Sequence, residues 1–249
     1  TESAAARKFW NARESPAELD SRAFIERLLT NFIADGEVSF MPSSSFTVAI
    51  KEFLASELKG AFQALKRPID VLDVGCGKGL LYANIIMSDL NMFSCVGRLI
   101  LTDISNDPVF LSVLENNSSR LESHEGNATN KALSGLLSKT RFIFSDANSL
   151  PFPNSSFDLL FMARTFEFVL HDVFLAEARR VLRPGGALLI YSDMTSFLPF
   201  SDEGEARRFF SDNEFQTLSF SIQEYSDDMK ETVAPLEVSE YFLAKIAKN

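Results

Sequence analysis

The side chains in this sequence best suited to bind a ligand are three aspartates, each followed by turn-forming residues. Residues 69–79 read IDVLDVGCGKG: a strand-like run, Asp73 near its end, then Gly75, Gly77 and Gly79, then a helical pattern. Glycines at alternate positions let the backbone turn sharply and let a ligand approach main-chain amides that a Cβ would block. The start of the following helix adds partial positive charge suited to a carboxylate or phosphate. A dinucleotide fingerprint requires G-x-G-x-x-G, yet Leu80 stands where its third glycine belongs. Asp73, in the approach to the loop, repels a pyrophosphate and favours an ammonium group. The residues therefore point to a nucleoside with an amino-acid tail rather than to NAD.

Two later runs repeat the arrangement. LTDIS ends in a strand-terminal Asp103, where a carboxylate accepts both hydroxyls of a ribose, and Ile104 follows, placed to pack on a purine face. FSDANSLPF supplies Asp146 and the Ala147 amide as acceptor and donor for an adenine edge. Each has a plainer reading: Asp103 as the cap of a helix near Pro108, Asp146 as the start of a turn.

Positioning these groups requires a parallel sheet, and the patterning supplies one. From Ile69 onward, short apolar runs near 69–74, 98–103, 141–145, 157–162 and 187–191 alternate with helical patterns near 79–90, 108–117 and 172–182. Two more runs, Phe215–Glu224 and Glu240–Ala247, suit a closing antiparallel pair. The expected fold is α/β: a Rossmann-like, doubly wound, seven-stranded, mostly parallel sheet with an antiparallel last strand. Residues 1–66 read as helices. Ser15-Pro16-Ala17-Glu18 forms a capping box with proline at the first helical position. A second helix should run from about Ser45 to before Pro68, with Ile50, Phe53, Leu54, Ala61, Phe62 and Leu65 on one face. The expected division is an amino-terminal helical cap or lid over 1–66 and a sheet domain over 67–249.

Composition narrows the partners. Thirty-four acidic residues against 24 Lys and Arg give a net charge of −10, which disfavours nucleic acid, held mainly through its phosphates. The charge concentrates in residues 201–240, where eleven acids face only Arg207, Arg208 and Lys230, a pattern expected of a solvated acidic face. Cys76 and Cys95 are the only cysteines, which points to a reducing compartment and excludes a multi-cysteine metal cluster. No apolar run approaches the ~18 residues of a membrane span, and no secretory pattern opens the chain, so a cytoplasmic location is expected. No metal is expected. Phenylalanine occurs 24 times and histidine twice, so any proton transfer falls to His124, His171 or a carboxylate.

The motifs VLDVGCGKG (71–79), LTDIS (101–105), DANSLPFPNSSFDLL (146–160) and RRVLRPGGALLIY (179–191) together resemble the class I S-adenosylmethionine-dependent methyltransferases. The resemblance is specifically to the branch that includes the ubiquinone/menaquinone-biosynthesis enzymes. The resemblance spans about 69–191 and implies S-adenosyl-L-methionine as cofactor and S-adenosyl-L-homocysteine as product. It implies that Asp73, Gly75 and Gly77 embrace the methionine portion, that Asp103 takes the ribose hydroxyls, and that Ile104 lies against adenine with Asp146 and Ala147 at its edge. Ala163 would line the cofactor near the sulfonium. The chain departs from the family in two places. Phe166-Glu167-Phe168 replaces the frequent Leu-His-His or Leu-Glu-His run, and the segment over 112–140 is longer.

Methyl transfer from a sulfonium is an in-line displacement, helped most by alignment and exclusion of water. A base is required only for an acceptor that starts protonated. Glu167 and His171, just after the fourth strand, are the candidate catalytic residues; His171 reads more readily as a cap or surface residue of the helix near Asp172. Arg164 could pair with Glu167 or bind an acidic substrate, and Asp193 is a further candidate. FMARTFEF stands where amino-methylating enzymes of nucleobases and glutamine carry an Asn/Asp-Pro-Pro-Tyr run, so a small molecule is the expected acceptor. Phe9, Trp10, Phe40 and Phe46 either form a lid and apolar or aromatic acceptor pocket or belong to an ordinary core. The competing readings are a protein that keeps the fold and cofactor as a scaffold, and one that uses them for a non-methylating reaction such as a cyclisation.

Overall fold

The apolar runs become the strands of one sheet. The computed structural model describes residues 45–76, 90–104, 135–136, 138–192, 198–224 and 240–248. In chain order these give α1 (Ser45–Leu65), β1 (Ile69–Val74), a 3-10 helix (Leu90–Cys95), β2 (Val96–Asp103), β3 (Thr140–Phe144) and β4 (Phe157–Ala163). A second 3-10 turn (Phe166–Phe168), α2 (His171–Val181), β5 (Leu182–Ser192), α3 (Glu203–Asp212), β6 (Phe215–Glu224) and β7 (Glu240–Lys248) follow. The strand order is β3-β2-β1-β4-β5-β7-β6. Strands β1 to β5 pair in parallel, and β7 runs antiparallel to both β5 and β6. This is the expected Rossmann-like architecture, with the chain order reversing beside β1, where parallel sheets of this kind hold their ligands.

Because side chains alternate along a strand, each strand feeds two cores. On one face Val71, Leu99, Leu101, Leu159, Phe161 and Leu189 pack under Ile50, Leu54 and Leu58 of α1. On the other, Leu72, Ile100, Leu160, Leu188 and Ile190 pack under Phe174, Leu175 and Ala178 of α2 and Ala206 and Phe210 of α3. The central strand Phe157–Ala163 is hydrophobic at nearly every position because it is covered on both sides.

The structure corrects several boundaries. The buried stripe of α1 is Ile50, Leu54 and Leu58, one turn apart, whereas Phe62 and Leu65, expected on it, are exposed. Strand β5 starts at Leu182, five residues earlier than its apolar run: Leu182 pairs with Phe157 and Ala187 with Leu159, so the residues between bulge out of the ladder, and Gly185 has φ 75° there. Helix α3 was not anticipated, since its acids read as part of a charged surface. The 3-10 helix Leu90–Cys95 stands where the 79–90 pattern was expected to end. The helix expected after Ser15, most of the pattern at 79–90, the helix at 108–117, and Gly77, Gly79, His124 and Asp193 lie outside the described residues, as do Phe9, Trp10, Phe40 and the side chain of Phe46.

Many of the described phenylalanines fill the interior, although Phe62 and Phe144 are exposed. Phe157, Phe161, Phe166, Phe174, Phe210, Phe215 and Phe242 are fully buried. Phe200 touches Phe209, Phe210, Phe220 and Phe242 with ring centroids 5.6–5.9 Å apart, within the range of favourable aromatic pairs.

Candidate functional site

The ends of β1, β2 and β4 lie side by side, so residues 73, 103 and 163 meet at one edge of the sheet. In the sheet register Asp73 stands between Leu101 of β2 and Phe161 of β4. Strand alternation places Asp73, Asp103 and Ala163 on the face covered by α1. Asp73 is buried, at 2% exposure, and the buried Thr102 hydroxyl donates to its backbone carbonyl at 2.9 Å. Asp103 is half-buried at the tip of β2 and Ile104 beyond it is 41% exposed. A thiol joins them: burial first, then the nearby carboxylates of Asp73 and Asp103, push Cys76 far above the usual thiol range, which keeps it protonated and unreactive.

The glycine turn differs in its physics from the sequence expectation. Gly75 has φ 77°, a conformation that favours glycine. The space a Cβ would take there is filled by this chain itself, since an ideal Cβ would fall 2.2 Å from Thr165 Cγ2 and 2.3 Å from its Oγ1. The amides of Gly75 and Cys76 both donate to the Thr102 carbonyl, at 2.8 and 2.9 Å. These two amides serve the turn itself.

On the adenine side, the Ser145 amide donates to the Asp103 carbonyl at 2.9 Å and ties the third strand's end to the second. Asp146 is exposed, and its Oδ1 accepts from the amide and side chain of Asn148 at 2.8 and 3.0 Å. It therefore builds an Asx turn as well as standing at the expected edge. Ala147 is half-buried against the α2 face. Behind this loop, Arg180 donates to the carbonyls of Leu150 and Phe152 at 2.8 and 2.6 Å, and Glu177 accepts the Leu150 amide at 2.8 Å.

After β4 the chain turns through Arg164, whose φ is 54°; its amide donates to the Tyr191 carbonyl at 2.9 Å. Ala163 is the register partner of Tyr191. Glu167 is fully enclosed and accepts a hydrogen bond from Ser192 Oγ, also fully enclosed at the end of β5. His171 opens α2, with its ring 4.7 Å from that of Phe166 and 5.9 Å from that of Phe209. Its Nε2 lies 2.9 Å from the Phe166 carbonyl. Because a carbonyl only accepts, Nε2 carries the proton and Nδ1 the lone pair. Burial lowers the His171 pKa and keeps the ring neutral, against the opposing pull of that hydrogen bond and of Asp172. The structure thus joins Glu167 to β5 and His171 to the 3-10 turn. It adds two residues the sequence did not signal, Thr165 and Ser192, whose contacts arise only from strand order.

The set at the strand ends is carboxylate-rich, half-open at Asp103 and flanked by an exposed aliphatic residue. It fits an ammonium, a pair of hydroxyls and a flat apolar base, the chemical parts of S-adenosylmethionine, and it fits a pyrophosphate poorly.

Comparison with known proteins agrees. Residues 72–190 match the family described as "Methyltransferase domain". The chain is 42% identical over 79 residues to the fatty-acid O-methyltransferase of Mycolicibacterium smegmatis, covering 31% of this chain and 27% of that protein. It is 30% identical over 144 residues to the ubiquinone/menaquinone biosynthesis C-methyltransferase UbiE of Francisella tularensis subsp. novicida, covering 56% of this chain and 48% of that one. The chain thus spans between about a quarter and a half of these relatives. Among solved structures it resembles the [4+2]-cyclase SpnF, at 16% identity and a TM-score of 0.53 over 78% of this chain and 80% of that chain, a likeness of fold. No described helix is long and apolar enough to cross a membrane.

Proposed function

We propose that the chain is a class I S-adenosylmethionine-dependent methyltransferase that transfers a methyl group to a small-molecule acceptor by in-line displacement, a reading supported by the match of residues 72–190 to the methyltransferase domain family. The observation that carries this reading is the pairing of buried Asp73 with half-buried Asp103 at adjacent strand ends, on one face and beside the Gly75 turn. Asp73, with Gly75 and Gly77, would hold the ammonium-bearing methionine portion, and Asp103 the ribose hydroxyls. Ile104, Asp146 and Ala147 would bound the adenine, and Ala163 would lie near the sulfonium. When bound, S-adenosylmethionine supplies an electrophilic methyl on a cationic sulfur. The protein's part is to align an acceptor with it and exclude water.

Glu167 and His171, expected as proton acceptors, are better supported as residues that fix the turn after β4. Glu167 has no exposed surface and is bonded to Ser192, while His171 donates to the carbonyl of Phe166. Residues 1–66 serve in this reading as a helical cap, of which α1 rests on the sheet face that carries Asp73. The acceptor is an apolar or aromatic small molecule, in keeping with what the names of the relatives say of those proteins. Cys76 and Cys95 form no disulfide, which suits a cytoplasmic, reducing setting.

The test is a thermal shift with S-adenosylmethionine, S-adenosylhomocysteine and NAD. A sulfur ligand at ~100 times Kd should stabilise by ~2.7 kcal/mol; a shift with NAD alone, or with none of the three, sinks the reading. Incubation with methyl-labelled cofactor and a metabolite panel then identifies the acceptor by mass spectrometry. Tight cofactor binding without any transfer would instead favour a scaffold or a non-methylating reaction.

A further inference from the structure

Building on the cofactor site just described, we propose that Thr165 is a positioning residue of that site. It latches the Gly75–Cys76 turn to the end of β4 and so sets the aim of the loop that meets the cofactor's methionine portion. The two residues are 90 positions apart in the chain and meet because β1 lies between β2 and β4.

The latch has a polar and an apolar part. Thr165 Oγ1 lies 3.0 Å from the Gly75 carbonyl and 3.2 Å from that of Ala163. A hydroxyl has one proton, so the two carbonyls share it, and the loop after β1 is joined to the residue proposed to line the sulfonium. The threonine methyl fills the space above Gly75, where a Cβ would fall 2.2 Å from it. On the opposite side the Gly75 and Cys76 amides are fastened to the Thr102 carbonyl. The turn is therefore held from both neighbouring strands, through β2 by its N–H groups and through β4 by its C=O.

Thr165 is itself placed by an unusual piece of backbone. The preceding Arg164 is left-handed, with φ 54°, a conformation that a non-glycine residue keeps only where the surroundings over-determine it. The surroundings here are the bond from its amide to Tyr191 and the 3-10 turn beginning at Phe166. Such strain next to a ligand-facing strand end fits a residue held for position rather than for local stability.

The test compares the full chain with T165V, which keeps the shape and loses the hydroxyl, and T165S, which keeps the hydroxyl. Amide hydrogen exchange of the ligand-free proteins and calorimetric titration with S-adenosylmethionine and S-adenosylhomocysteine are the readouts. T165V should exchange faster at Gly75 and Cys76 with β6 unchanged, and should bind both ligands about three- to tenfold more weakly, the worth of one neutral hydrogen bond. T165S should lose less affinity than T165V, because that bond is retained and only the methyl packed on Gly75 is lost. Parent-like exchange at Gly75 and Cys76 in T165V, parent-like affinity, equal loss in T165S, or faster exchange extending to β6 would each overturn the proposal. A parent chain that binds neither ligand would defeat the methyltransferase reading instead, and exchange in the ligand-free chain would still decide whether Thr165 holds the turn.

Discussion

The two ends of the same parallel strands are held by different chemistry. At the starting end, carboxylates are bound by guanidinium groups. Asp158 of β4 takes both nitrogens of Arg67 at 2.7 and 2.9 Å, Arg183 at 2.8 Å and the Asp70 amide at 2.9 Å. Asp70 takes Arg183 at 2.8 Å and Arg98 at 3.3 Å. At the finishing end the backbone is fastened through its own groups: Thr102 and Gly75 by their carbonyls, Ser145 and Arg164 by their amides. Those bonds do not draw on the carboxylates of Asp73 and Asp103. Asp70 and Asp158, at the starts of their strands, are thus bound by guanidinium groups, whereas the bonds that fasten the finishing ends of β1, β2 and β4 are made by backbone carbonyls and amides.

The sharpest way to break this contrast is to exchange the effects. Asp158→Ala should cost about 3 kcal/mol, because it leaves guanidinium groups gathered around a 5%-exposed site with their partner gone. Urea denaturation should show that loss, and titration should find cofactor affinity unchanged. Burial alone would raise the Asp158 pKa, yet the bonds from Arg67, Asp70 and Arg183 outweigh it and hold the carboxyl below its usual range. Asp103→Ala should do the reverse: affinity for S-adenosylmethionine falls at least about 100-fold, as for two hydrogen bonds to a charged acceptor, with the urea midpoint of the ligand-free protein moved far less than by Asp158→Ala. If Asp103→Ala unfolds the chain, the finishing end is structural as well and the contrast fails.

Much of the finishing end was legible in the sequence, for a physical reason. Strands buried on both faces read as continuous apolar runs, so Ile69–Val74 was placed to the residue, and Asp73 and Asp103 followed from where such runs stop. Helix α3 was hidden by its charge, although its start carries a signal: the N-cap Asp202 accepts the Glu205 amide at 2.8 Å, and Glu205 reaches back to the amide and hydroxyl of Ser201, with Ala206 and Phe210 buried one turn apart. Thr165 and Ser192 carried no signal at all. Their partners are distant in sequence, and only the crossing order β2-β1-β4-β5 brings them together. For Gly75 the sequence showed that a side chain was unwelcome but not what occupied its place.

A weaker effect tests whether any guanidinium serves the ligand-facing end. Arg180 braces the loop that follows Asp146 through the carbonyls of Leu150 and Phe152 and is held in place by Glu177. Arg180→Ala should cost about 1–2 kcal/mol of stability, having removed two bonds from a charged donor that is partly solvated. It should also loosen cofactor binding about three- to tenfold, since each lost kcal/mol of positioning is worth about fivefold. A stability loss without an affinity loss would confine Asp146 and Ala147 to a bystander role.

The smallest effect distinguishes the two ends by pH. Burial lowers the His171 pKa from its usual 6.5, so the neutral ring is the form the fold prefers. Its contribution to stability is complete above the unfolded value of 6.5 and is lost as pH falls from there through the lowered native value. Asp158 and Glu177 have depressed carboxyl pKa values, so their contributions persist until pH falls below the unfolded values of 3.8 and 4.5. On acidification the ligand-facing end, where His171 holds the Phe166 carbonyl, should therefore weaken before the Arg67–Asp158–Arg183 end. Urea midpoints from pH 8 to pH 5 for the parent and His171→Gln are the measurement. The parent should lose stability below pH 6.5 with a slope the variant lacks, and its cofactor affinity should fall over the same interval. Parallel slopes in the two proteins would show that His171 does not set the acid limit of the site.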